Sequence, residues 1–85
     1  MKTMNRLKVM KTEKILTQYE QNAFRSQLKQ LLRIEGMISM CLESRNLYIE
    51  YNPKRFSIES FKTVLKDIGF PLKKELNVAS FHFTV

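Results

Sequence analysis

The seven residues Leu47-Tyr48-Ile49-Glu50-Tyr51-Asn52-Pro53 constrain this chain most. Leu47, Ile49 and Tyr51 alternate with Tyr48 and Glu50, the period of a strand with one buried and one wetter face. Asn52-Pro53 then ends it, because proline lacks a ladder donor and restricts the residue before it. Immediately upstream, Met37, Met40 and Leu42 lead into a turn at Glu43-Ser44-Arg45-Asn46, so the pair reads as two antiparallel strands. Downstream, Ser57 with Glu59 and Ser60 opens a helix whose apolar stripe is Ile58, Phe61, Leu65 and Ile68, with Lys62 and Lys66 toward water. Gly69 ends it.

The first half is less sharply punctuated. Residues 4–10 form a short segment with Leu7 and Val9 on one side, the pattern of a half-buried strand. Ile15, Leu16, Tyr19, Ala23, Phe24, Leu28, Leu31 and Leu32 recur at helical steps. Thr12 can cap that helix, with Glu13 in its first turn; alternatively Ile15-Leu16-Thr17 ends the first strand and the helix starts near Glu20. Either helix stops at Gly36, which can take a left-handed conformation. The tail offers a weak strand at 71–76 and a stronger one at 78–85, with Ala79, Phe81, Phe83 and Val85 on one face.

The order strand, helix, strand, strand, helix, strand leaves two amphipathic helices to be buried. The economical solution places both on one face of a four-stranded antiparallel sheet, an α+β ferredoxin-like βαββαβ sandwich spanning residues 1–85 as a single domain. An 85-residue chain that is 44% hydrophobic can build one modest core.

The formal charge is +7, and residues 1–33 carry six of those net charges. A basic half favours an acidic protein, nucleic acid or anionic lipid, although the charges are dispersed as on an ordinary solvated face. The lone cysteine, Cys41, forms no internal disulfide and fits a reducing cytoplasm. No apolar run spans a bilayer, and Met1 to Lys8 lacks the apolar segment of a secretory signal, so a cytoplasmic protein without membrane contact is expected.

From Leu28 to Phe70 the chain resembles the heavy-metal-associated (HMA) domain of copper chaperones and metal-pumping ATPases. The resemblance rests on Leu31-Leu32-Arg33-Ile34-Glu35-Gly36-Met37, on Leu47 to Pro53, and on Ile68-Gly69-Phe70. It covers about half the chain, mostly core and turn positions, and implies the ferredoxin-like fold. Members of that family hold a soft metal with Cys-x-x-Cys on the loop before the first helix. By the family's spacing those sulfurs fall near Glu20 or Gln21 and near Ala23 or Phe24, none of which can ligate a soft metal. Phe70 takes the aromatic position that packs near that loop, and here closes the core.

Other metal ligands are sparse: the sulfur residues Met1, Met4, Met10, Met37, Met40 and Cys41, with His82 as the single imidazole. Cys41, His82 and Met40 are the candidate ligands, against a reading of Met37 and Met40 as flexible core and Cys41 as an inert thiol on the opposite face. No nucleophile–base pair is readable, Glu20, Glu35 and Glu59 read as helix-surface or capping residues, and both glycines are helix stops, so no enzyme is expected. The leading reading is an HMA-like scaffold without its metal motif, acting as a protein-interaction or regulatory module for an acidic partner. Its docking residues would be Arg25, Lys29 and Arg33 on the first helix and Tyr48 on the open sheet face. The alternatives are a Cu(I) or Zn(II) carrier using an atypical Cys/Met site, and a nucleic-acid-binding module, disfavoured by Glu50 beside Tyr48 and the missing RNP pattern. Homodimerisation through a free sheet edge is open.

Overall fold

The computed structural model describes residues 4–73. They form three strands, β1 (Arg6–Lys11), β2 (Met37–Leu42) and β3 (Asn46–Tyr51), and two helices, α1 (Gln18–Leu28) and α2 (Ile58–Asp67). The sheet is antiparallel in the order β1-β3-β2. The architecture is α+β, with three strands among the described residues. The strand expected at 78–85, most of that at 71–76, and His82 and Met1 lie outside the described residues.

β3 is the organising element. Leu47, Ile49 and Tyr51 are buried as the alternation requires, and the buried side chains of both helices join them in one cluster, so both helices cover one face of the sheet. α2 contributes Phe61 and Leu65, with Ile58 and Ile68 packed at the margin. Its cap is Ser57, whose hydroxyl accepts from the Ser60 N–H at 3.2 Å. Lys66 is exposed as expected, whereas Lys62 is half-buried beside Glu59 at 3.7 Å. Gly69 follows the helix with φ +82° and acts as its stop.

β1 inverts the expected parity. Leu7 is 70% and Val9 42% exposed, and Met10 is buried instead. The register explains this: Met10 pairs with Leu47 and Lys8 with Ile49, so the even positions share the core face of β3. Lys8 on that side is half-buried.

The first helix starts at Gln18, near Glu20 as the second sequence alternative has it and not at Thr12, while β1 ends at Lys11 and not at Ile15-Leu16-Thr17. Thr17 caps the helix: its hydroxyl accepts from the Glu20 N–H at 3.1 Å, and the Glu20 carboxylate accepts from the Thr17 N–H at 2.9 Å, a reciprocal capping box. Residues 13–16 are connection, between the bridge at Thr12 and the cap at Thr17. Thr12 is buried in a bridge opposite Leu72, flanked by hydrogen bonds from Glu13 N–H to Pro71 O and from Lys73 N–H to Lys11 O. Tyr19, expected in the apolar stripe, is 82% exposed, and Ile15 and Ala23 are also exposed.

The helix does not run to Gly36. It ends at Leu28 and tightens into a 3-10 turn over Lys29–Arg33. Gly36 enters β2 at φ +89°, where a Cβ would lie 2.7 Å from Phe56 Cβ and 2.9 Å from the Arg55 carbonyl carbon. Glycine stands there because the Arg55–Phe56 backbone crosses it.

Candidate functional site

At the expected sulfur positions, α1 places apolar and capping side chains. Glu20 is engaged in the capping box and in an ion pair with Lys14. The Lys14 hydrogen bond, reinforced by Thr17, holds the Glu20 carboxyl below the usual carboxylate range. Gln21 turns its amide to the Leu16 carbonyl at 3.1 Å. Phe24 packs edge-on against buried Phe70, with ring centroids 5.0 Å apart. Phe70 thus closes the core as expected, against a phenyl ring. These residues do not fit a soft metal: they offer carboxylate, amide and phenyl groups, all occupied.

Cys41 and Met40 stand next to each other on β2 and face opposite ways. Cys41 is exposed on the uncovered face, paired with Tyr48, and Met40 is half-buried under α1. Met37 is also half-buried, at three residues from Met40. A β-bulge between Met37 and Ser39 reconciles that spacing with a strand by turning Ile38 outward. Among the described residues no three His, Cys, Asp or Glu side chains cluster as a metal site would need.

The proposed docking residues divide between two surfaces. Tyr48 lies on the uncovered face, where its hydroxyl donates to Glu43 Oε1 at 3.1 Å. That bond raises the Tyr48 pKa above its ordinary value. Arg25 and Lys29 lie on the opposite side, lining a cleft of about 440 Å³ between α1 and β2. Arg33 is exposed at the end of the 3-10 turn, outside the cleft lining.

The cleft is built from the helix end and the outer strand. Leu28, Leu32, Met40 and Leu42 form apolar walls, Arg25 and Lys29 flank them with Asn22 and Ser26, and none of these lining residues is acidic. Arg25 is fixed in place: Nη2 donates to the Leu42 carbonyl at 2.9 Å and Nη1 to Asn22 Oδ1 at 3.0 Å. Leu32 is 42% exposed because the switch from α to 3-10 geometry advances it further around the axis than a regular helix would. A second hollow runs between β1 and α2, bordered by Lys11, Lys62, Lys66, Leu72 and Lys73. No helix among the described residues is long and apolar enough to cross a membrane.

Comparison with known proteins returned no matching family model, no matching curated protein and no matching solved structure.

Proposed function

We propose that this chain is a non-catalytic protein-recognition module on an HMA-like, ferredoxin-like scaffold, working without the metal that such scaffolds carry. Its interface is the flank formed by α1, the 3-10 turn and β2, and its partner is acidic. One observation carries this reading: the cleft under α1 combines an apolar floor with cationic flanks and no acidic residue. Such a surface disfavours basic partners and attracts acidic ones at a distance. The scaffold reading is supported by the strand order β1-β3-β2 and by the Thr12–Leu72 bridge. Among the described residues β1 and β2 are the two edge strands of the sheet.

The test is quantitative affinity capture with wild-type protein, Lys29→Glu, Leu32→Asp and Tyr48→Ala. A partner lost by the first two variants and retained by the third supports the α1–β2 flank. Loss with Tyr48→Ala alone moves the interface to the uncovered face and refutes the proposal.

A further inference from the structure

Beside the cleft, β2 ends the sheet among the described residues, and its register states which backbone groups face away from β3. The Glu43 N–H donates to the Asn46 carbonyl at 2.9 Å, so Glu43 and Asn46 form a hydrogen-bonded pair closing the turn. Antiparallel pairs alternate between hydrogen-bonded and non-hydrogen-bonded. Cys41–Tyr48 and Ser39–Glu50 therefore bond across the hairpin, while Met40 and Leu42, opposite Ile49 and Leu47, turn their N–H and C=O groups outward. Arg25 marks that direction, since its guanidinium reaches the outward carbonyl of Leu42. The same two residues send their side chains into the cleft. Outward backbone groups and inward apolar side chains thus belong to the same two residues, on either side of Cys41.

From this geometry, and resting on the recognition reading above, we infer that β2 takes up an extended segment of the acidic partner as an added antiparallel strand. Residues of that segment opposite Met40 and Leu42 share their face, as directly opposed residues in an antiparallel pair do. An apolar side chain there lies over Leu32 and Met40. An acidic side chain two positions away lies toward Lys29 and Arg25. Backbone bonding supplies the affinity common to all extended peptides, and the cleft supplies the selection. The bulge at Ile38 limits the docking length to the Met40–Leu42 end, since a bulged edge pairs poorly. That makes the segment short, with a motif of acidic, apolar, acidic at alternate positions.

The probe is a capped synthetic peptide of sequence glutamate–threonine–leucine–threonine–glutamate, titrated into the ¹⁵N-labelled full chain. Amide hydrogen exchange at Met40 and Leu42 is expected to slow on binding, while Cys41 and Ser39, already bonded to β3, change little. A peptide N-methylated at leucine, whose N–H would point to β2, is expected to lose binding. N-methylation at threonine, whose N–H would point away, should be tolerated. Lys29→Glu, on the exposed cleft flank, should weaken the unmodified peptide about tenfold, since the reversal replaces an exposed charge attraction by a repulsion of similar size. Binding that depends on Lys29 but ignores leucine N-methylation and leaves Met40 and Leu42 unprotected overturns strand addition and spares the cleft reading. Binding that ignores Lys29→Glu and Leu32→Asp overturns both, as does the absence of binding at millimolar peptide.

Discussion

Replacing Gly36 by alanine separates two costs that glycine usually hides together. At φ +89° the alanine sits in backbone that L-residues avoid, at about 1–2 kcal/mol. Its Cβ also lands 2.7 Å from Phe56 Cβ and 2.9 Å from the Arg55 carbonyl carbon, so a backbone segment must move. Overpacking of that kind costs about 1–3 kcal/mol. Gly69 is the internal control: φ is +82°, and a Cβ there meets nothing within 4 Å. Both substitutions regain about 0.4–1 kcal/mol through the stiffer unfolded chain. The net expectations are a loss of about 1 kcal/mol for Gly69→Ala and about 3 kcal/mol for Gly36→Ala. For a domain of this size, with a urea slope of about 1 kcal/mol/M, the two midpoints separate by about 1–3 M. Urea unfolding followed by circular dichroism reads the difference directly. Coincident midpoints for the two variants would refute the close crossing of Arg55–Phe56 over Gly36.

The inverted face of β1 predicts that Leu7→Thr and Val9→Thr each stay within about 0.5 kcal/mol of wild type, whereas Met10→Ala loses about 2–5 kcal/mol; chemical denaturation ranks them. Thr17→Ala should cost about 1 kcal/mol by removing the α1 cap, and Thr17→Asp should restore most of it, again by urea midpoint. Glu20 has a folded-state pKa below its unfolded value, so its contribution is present above the ordinary carboxylate range and fades as pH falls through the depressed value. An NMR titration should therefore place Glu20 lower in wild type than in Lys14→Met; identical titrations would contradict the hydrogen bond from Lys14.

The parts legible in sequence are those where one local rule decides. β3 was readable because its apolar alternation is clean and its stop is a proline, and α2 because Ser57 and Gly69 bracket an unbroken stripe. β1 departs from its own pattern, which favours Leu7 and Val9, because the register with β3 puts Met10 and Lys8 on the core side. Pairing is a non-local fact, and a shift of one residue reverses every side chain. The two methionines of β2 carried a usable signal: core positions three apart in a strand require an extra residue between them, which is the bulge at Ile38. Arg25 and Lys29 were legible as a basic face, but their cleft was not. It exists because the helix tightens after Leu28 and exposes Leu32, a change that helical periodicity does not encode. Tyr48 was correctly placed on the outer strand face, and only the register shows how far that face lies from Arg25 and Lys29.

The measurement that divides a metal-free recognition module from a metal carrier is a Cu(I) and Zn(II) titration under reducing conditions against a chromophoric chelator, with Cys41→Ser alongside. The packing of Phe24 on Phe70 at the expected sulfur positions predicts that the protein withdraws no stoichiometric metal from the chelator and that the two proteins behave alike. Stoichiometric withdrawal by wild type, lost in Cys41→Ser, would contradict recognition without metal and make Cys41 the anchor of a carrier.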